Sequence, residues 1–528
     1  MKKMVARYWY VPIVLVVLLM LTLMVLITNQ SAYQRITLWL LFVALISLPV
    51  SWIWLFIFKE RRKALLSIIW SIASICILFI PLSIAIISDP RVPNTSSDGR
   101  KRPGDLLFSN TVEEVAANTD VSYETSESER EIIRATNDFS FRLFLSVAAN
   151  SKGKDVLISP LGVVYSLDLI SNGAGGHTKQ LLQKQLGTGK FNQDDINALR
   201  RKMMLCHAKV SLDDVYHTTK SAFLKSSNLL LYRDSQVINQ DFVKTIVHSF
   251  FADCIPFTQQ SEVKKILDTW NKEANRDAIK DVSIDIDDIT RACLVNTLLF
   301  NASWAQMFYK TKKDKFYKTP KEVHTVDMMC NTEKEHYYKY MQNSQYQMLR
   351  LPYVGSFYMD VILPNKNITI DHLMARLDLK QYEESAQKLN TYDIVEVGLP
   401  KFHVKSELNL LQLLSDMGLS DLFSMSADYS LMSDSSLYIN RMRQDIEMDI
   451  DEKGTHIEAV TSTSFATKGE MLNPTKAVFY ANRPFIYFIR DGFGTICFAG
   501  IYTGWSSIAY IHYPGVDVAY NYGPIIDI

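Results

Sequence analysis

At 528 residues the chain is long enough for two or three domains. Its 56 Lys plus Arg balance 56 Asp plus Glu, so no global field favours nucleic acid or an anionic substrate. Hydrophobic residues reach 48 %, more than one soluble domain needs, and the excess is concentrated at the start.

Residues 1–88 hold three uncharged apolar runs, about 8–28, 36–58 and 64–88. Each is long enough to cross a bilayer as a helix. No small-residue cleavage site stands out between the first two, so the first reads as a span rather than a leader. Lys2, Lys3 and Arg7 precede the first run, and Lys59, Arg61, Arg62 and Lys63 separate the second from the third. The positive-inside rule puts those residues in the cytoplasm. Three spans then predict an integral membrane protein whose remainder is extracellular or lumenal. Polar residues within the runs are hydroxyls such as Thr22, Ser47 and Ser71, which suits an anchor better than an ion path. Residues 89–128 turn polar and rich in Pro, Ser and Asn, the composition of a flexible extracellular linker.

A globular region runs from 129 to 505. A helix is expected from near Glu129, with Phe141, Phe144, Leu145 and Ala148 on one face. Ser159-Pro160 reads as a helix entry, serine capping and proline in the first turn. Gly173, Gly175 and Gly176 fit a helix end and tight turn, since no P-loop Lys-Ser/Thr follows them. Strands are predicted over 228–231 and 294–300, and helices over 266–279 and 410–422. Asn296 interrupts the second of those strands and needs hydrogen-bond partners. The alternation of long helical and strand signals predicts a mixed α+β domain around a large sheet.

No catalytic set is visible. GxSxG and HExxH are both absent, and ten histidines are scattered without a nucleophile in register. Five of the six cysteines lie beyond the apolar runs, with no CxxC pair and no metal spacing, so neither metal nor cofactor is expected. A bridge such as Cys206–Cys254 remains open, whereas Cys293 and Cys497 sit in apolar strands as buried thiols. Asn94, Asn301 and Asn367 begin glycosylation sequons.

The most informative stretch is 449–500. Met448 to Glu452 alternates apolar and acidic residues as a strand does, and Gly454 frees the backbone to turn. Residues 455–467 contain neither Gly nor Pro and show a period of two. Thr455, Ile457, Ala459 and Thr461 fall on one face, and Glu458 falls on the other. Such a segment is competent both as an exposed loop and as an inserted strand. Lys468, Gly469, Asn473 and Pro474 form a turn-prone tip, and two apolar strands follow over 483–490 and 495–501.

Glu452-Lys453-Gly454-Thr455, then Asn482-Arg483-Pro484-Phe485 and Phe498-Ala499-Gly500, closely resemble the hinge, reactive loop and C-terminal signature of the serpins. Ser159-Pro160, the glycine motif after Asn172, Leu294 to Phe300, Trp304 and Leu351-Pro352-Tyr353 continue the likeness across residues 130–505. The resemblance implies a serpin fold with a large central sheet, further sheets and about nine helices, preceded here by the three spans. It implies a monomer that is not an enzyme and does not bind nucleic acid. Such a protein inhibits a serine protease by offering residues 453–475 as substrate and inserting the cut loop into its sheet.

By that resemblance Glu452, Gly454, Thr455, Ile457 and Ala459 form the hinge, while Ser159, Asn296, Trp304 and Gln444 guard the opening of the sheet. Counting fourteen residues from Gly454 puts the scissile bond at Lys468–Gly469, and Lys468 suits a trypsin-like protease. Counting back from Leu472-Asn473-Pro474 puts it at Glu470–Met471. Three positions depart from the family pattern: Ile457 in place of a small residue, Gln444 in place of His, and Gly162 in place of Ser. A non-inhibitory carrier, chaperone or decoy substrate is the alternative function. Residues 506–528 extend past the usual serpin end.

Overall fold

The computed structural model describes residues 112–504 except 152, 210, 213–220, 237, 276–289, 332–337, 393, 436, 440–441 and 457–475, together with 509–510. These residues lie within one unit, Thr95–Ile528. Its helices are α1 (Val112–Ala117), α2 (Glu127–Asn150), α3 (Pro160–Gly173), α4 (Gly176–Leu186), α5 (Gln193–Ala208), α6 (Gln240–Phe250), α7 (Gln260–Asn275), α8 (Ile370–Met374), α9 (Leu379–Gln387) and α10 (Leu410–Leu414).

Three sheets carry the fold. The main sheet contains β2 (Ser211–Leu212), β3 (Ser221–Arg233), β4 (Ala252–Phe257), β5 (Ala292–Ser303), β13 (Phe402–Asn409), β14 (Arg443–Ile450), β15 (Gly454–His456) and β19 (Ala509–Tyr510). Its order is β19-β13-β14-β15-β5-β3-β2, with β4 beside β3. A four-stranded sheet of order β16-β12-β7-β6 contains β6 (Lys310–Tyr317), β7 (Val323–Asn331), β12 (Ile394–Pro400) and β16 (Lys476–Tyr480). The third, of order β1-β18-β17-β10-β9-β8-β11, contains β1 (Val156–Ile158), β8 (Tyr338–Gln342), β9 (Tyr346–Pro352), β10 (Tyr358–Pro364), β11 (Asn390–Tyr392), β17 (Phe485–Arg490) and β18 (Ile496–Tyr502). This is the mixed α+β class that the sequence predicts.

Local chemistry sets the long helices. Ser126 caps α2: its hydroxyl accepts from the Glu129 N–H, and the Glu129 carboxylate accepts from the Ser126 N–H at 2.7 Å. Ile132, Thr136, Phe139, Leu143 and Val147 then follow at helical spacing and are buried. Ser159 caps α3 as expected, with Pro160 opening it. β17 and β18 bury every residue, so each reads as a continuous apolar run.

Arg200 on α5 ties three helices together. Its guanidinium meets Asp168 of α3 at 2.7 Å and donates to the Thr136 hydroxyl of α2 at 2.8 Å. Both charged side chains are 1 % exposed. Burial pushes the Asp168 carboxyl above its usual range, and the facing guanidinium opposes that shift.

Several expectations are corrected. The three apolar runs of 1–88 lie outside the described residues. Among the described residues no helix is long and apolar enough to cross a membrane. The longest, α2, has 24 residues but carries Glu127, Glu129, Arg130, Glu131, Arg134, Asp138 and Arg142. The assignment as an integral membrane protein with an extracellular or lumenal domain is therefore withdrawn. The linker does not run to residue 128: α1 buries Val112 and Ala116 in the core, an apolar pair four residues apart that its polar neighbours obscure. The helix of 410–422 is broken at Gly418, whose φ of 90° is left-handed, so a wide turn and a 3₁₀ turn replace its second half. Cys206 and Cys254 are free and buried, and no cysteine among the described residues is bridged. β19, within the C-terminal stretch 506–528, pairs in parallel with β13 at the edge of the main sheet.

Arg200→Met is expected to lower unfolding stability by about 3–5 kcal/mol, because it strands a buried carboxylate. The double replacement Arg200→Met with Asp168→Leu should recover most of that loss in urea titrations.

Candidate functional site

The turn that joins β14 to β15 creates the site. One Asp451 carboxylate oxygen accepts from the Lys453 N–H at 2.8 Å and the Gly454 N–H at 3.2 Å. The Asp451 N–H donates to the Gly454 carbonyl at 2.9 Å. The chain reverses within four residues and lays Gly454–His456 antiparallel to both neighbours. Ile450 faces Thr455 on one side, and Gly454 and Thr455 face Ser303 and Ala302 on the other. Gly454 is required by space: a Cβ there would stand 2.1 Å from the Ala302 carbonyl oxygen.

Four other groups hold this turn. The Trp304 backbone N–H donates to the Lys453 carbonyl at 2.7 Å, and its indole N–H donates to the Asp451 carbonyl at 2.9 Å. The indole is 1 % exposed and stacks on Tyr353, with ring centres 4.2 Å apart and planes 9° apart. The Tyr353 and Thr455 hydroxyls share a 2.6 Å hydrogen bond, with Thr455 fully buried. Burial drives the Tyr353 phenol well above its ordinary pKa. Glu452 stays near the surface, accepting from the Thr311 hydroxyl at 2.6 Å and from Lys401 at 3.2 Å. Partial burial alone would raise the Glu452 carboxyl, but those bonds hold it below its ordinary pKa.

Below this short strand the sheet is split. β14 pairs with β15 only at Asp449 and Ile450, and β5 pairs with it only at Ala302 and Ser303. Among the described residues no ladder joins β5 over 292–301 to β14 over 443–448. A cavity of about 50 Å³ lies there, lined by Gly162, Leu294, Asn296, Met432, Tyr438 and Gln444.

At that level Ser159, Asn296 and Gln444 converge. The Ser159 N–H donates to the Gln444 amide oxygen, and the Gln444 NH₂ donates to the Ser159 carbonyl, both at 3.0 Å. The Ser159 hydroxyl donates to the Cys497 carbonyl at 2.8 Å. The Asn296 NH₂ donates to Ser226 at 2.9 Å and Asn228 at 2.8 Å, which supplies the partners its place in an apolar strand demands. Gly162 and Gln444 fit each other. A Cβ at 162 would lie 2.3 Å from Leu298 Cδ1, 2.9 Å from Asn296 Oδ1 and 3.1 Å from Gln444 Nε2. A side chain at 162 would therefore meet Leu298 and Asn296 before Gln444.

Ile457, Ala459, Lys468, Gly469, Glu470 and Met471 lie outside the described residues, as does Asn94. Of the other two sequons, Asn367 is exposed in the turn before α8, whereas Asn301 is half-buried in β5 with Ser303 buried beside it. Sequence reasoning missed Tyr353 and Asp451 as site residues. Tyr353 was visible only within a family motif, and nothing in spacing links it to Thr455.

One group has metal-ligand chemistry among the described residues: His207, Asp491 and Cys497, all buried. His207 Nε2 lies 2.7 Å from Asp491 Oδ2, and Asp491 Oδ1 accepts from the Thr495 N–H at 2.7 Å. The Cys497 thiol reaches the Thr495 carbonyl at 3.6 Å, and burial pushes its pKa well up. These groups satisfy one another as core polar residues.

The family described as "Serpin (serine protease inhibitor)" matches residues 134–503, more than half of the chain. The chain belongs to the serpin family. It is 27 % identical over 376 residues to serine proteinase inhibitor 1 of variola virus, covering 69 % of this chain and 95 % of that one. It is also 27 % identical over 362 residues to the human plasma serine protease inhibitor, covering 67 % and 86 %. The fold resembles human kallistatin with a TM-score of 0.60 at 22 % identity, covering 71 % of this serpin and 99 % of that chain.

Gln444→Ala is expected to leave the buried Ser159 N–H without an acceptor and to lower stability by about 1–3 kcal/mol. Tyr353→Phe removes one hydroxyl and strands another, an expected loss of about 1 kcal/mol. Chemical denaturation of the intact chain checks both, and Gln444→Ala should show the larger drop.

Proposed function

We propose that this serpin inhibits a serine protease by a suicide-substrate route, with residues 453–475 as the reactive loop of a domain spanning 129–505. The observation that carries the reading is the three-residue strand β15, which starts in register between β14 and β5, two strands that no ladder among the described residues joins to one another. Two strands of one sheet that are not laddered to each other form a template for a further strand between them. Thr455 is already buried in the sheet, and the period of two puts Ile457 and Ala459 on the same face. The relatives' names, serine proteinase inhibitor 1 and plasma serine protease inhibitor, support the same reading.

The chemistry belongs to the target enzyme. Its serine hydroxyl attacks the Lys468 carbonyl carbon, the Lys468–Gly469 peptide bond breaks, and the Gly469 amine leaves with a proton. Lys468 is then held as an ester on the protease. Residues after Gly454 zip into the slot, carrying the enzyme with them, and a trypsin-like protease, with its preference for a basic residue, is the proposed target. Ser159, Asn296 and Gln444 are the groups that parting strands must disturb, and Trp304 with Tyr353 holds the point where zipping starts. Ile457 is the bulky step in that process. It slows the first stage and favours ordinary cleavage over trapping, so it sets the balance between inhibitor and decoy.

Trypsin is expected to cut after Lys468 and to leave a complex that survives SDS. Mass spectrometry of the released C-terminal peptide checks the bond, and a cut elsewhere within 453–475 refutes it. Loop cleavage should raise the denaturation midpoint by at least about 5 °C, the shift a few kcal/mol gives in a domain this large. Ile457→Ala should increase the fraction trapped over the fraction merely cut, as read on gels.

A further inference from the structure

The outer strand of the four-stranded sheet, β6, reads Lys-Thr-Lys-Lys-Asp-Lys-Phe-Tyr. With Lys318 and Lys321 it brings six lysines against two acids, Asp314 and Glu322, into residues 310–322. The whole chain has no net charge, so this is a local concentration. Lys312, Lys313 and Lys318 have carboxylate neighbours in Asp314, Asp327 and Glu322. Lys310, Lys315 and Lys321 are exposed and have none within ion-pair distance among the described residues. Two apolar side chains stand out from the same surface, Tyr317 at 42 % and Val323 at 44 % exposure, paired across β6 and β7.

This strand also touches residues that flank the 453–475 segment on both sides. Thr311 donates to Glu452 in the turn between β14 and β15. The Tyr480 hydroxyl donates to Asp314 at 2.5 Å where the chain has returned as β16, and Lys312 lies 5.5 Å from the centre of the Tyr480 ring. Residues on both sides of the segment therefore meet a strand of exposed lysines.

We propose that β6 is a second contact surface for the protease that cuts the loop, and that it selects enzymes whose cleft is rimmed by carboxylates. The proposal rests on the reading of 453–475 as a protease substrate. Opposite charge around a binding point raises the encounter rate by about 10- to 1,000-fold at low salt. The scissile residue sets which bond fits the enzyme's cleft, and β6 sets which of several enzymes of one specificity arrives first.

Two trypsins of the same specificity and opposite net charge, anionic and cationic, test this with the full chain. The readout is the rate of cutting within 453–475, whether or not the enzyme is then trapped. The anionic enzyme is expected to react about tenfold faster at low salt. The ratio should fall toward one near about 1 M ionic strength, where the screening length is about 3 Å. Lys310→Glu/Lys315→Glu/Lys321→Glu should invert the ratio, and the matching Gln variant should bring it near one, with the denaturation midpoint unchanged in both. Glutamate keeps the strand edge charged and guarded against pairing with a second sheet. Equal rates for the two enzymes, or a ratio that charge reversal leaves unchanged, overturn the proposal while leaving the substrate reading intact. A sulfated polysaccharide that binds the wild type but not the Glu variant, with the trypsin ratio at one, assigns the patch to a polyanion and overturns it as well. Absence of any cut within 453–475 overturns both readings.

Discussion

One carboxylate decides where this chain goes next. Asp451 closes the turn after β14 by accepting two backbone N–H groups, and so aims Gly454 into the main sheet rather than out of it. The remaining contacts are consequences. Gly454 fits because nothing larger clears the Ala302 carbonyl, Thr455 is buried because its predecessor has been admitted, and Tyr353 has a hydroxyl to bond. Trp304 closes the arrangement from both its backbone and its ring. A hydrogen bond to a charged acceptor is worth about 1.5–3 kcal/mol, enough to hold a turn that the neighbouring strands alone do not enforce.

The opposite end of the slot follows another logic. There the strands are kept in place by amide groups and tight packing rather than by charge. Gln444 grips both backbone groups of Ser159, and the space it needs exists because residue 162 lacks a side chain. Asn296 bonds sideways to β3, so it braces β5 from the side that stays paired. The two bonds of Gln444 to Ser159 are neutral, worth about 1 kcal/mol each.

Buried pairs of polar side chains are used elsewhere and for a different purpose. Arg200–Asp168 and His207–Asp491 both join helix α5 to distant parts of the chain, the first to α3 and the second to the turn between β17 and β18. Such pairs add little net stability against an apolar replacement, yet they penalise any arrangement that separates them.

Much of this was readable from the amino acids alone. The α+β class, the helix entering at Ser159 and the need of Asn296 for partners all follow from local pattern, because periodicity, capping and polar satisfaction act over a few residues. The contacts that make a site were not readable. Tyr353 and Thr455 are a hundred residues apart, Gly162 and Gln444 nearly three hundred, and no local rule relates them. The short helix at Val112–Ala117 hid in a polar stretch because two buried residues make too weak a periodic signal. Gly418 lies inside the stretch whose pattern predicts a helix over 410–422 and breaks it. The sequence by itself determined which segments could be strands, helices or turns and which one could be either. Only the tertiary structure decided that the ambiguous segment begins inside the sheet, because that choice is made by the carbonyl of Ala302, the indole of Trp304 and the phenol of Tyr353, which meet Gly454 and its neighbours in space and nowhere along the chain.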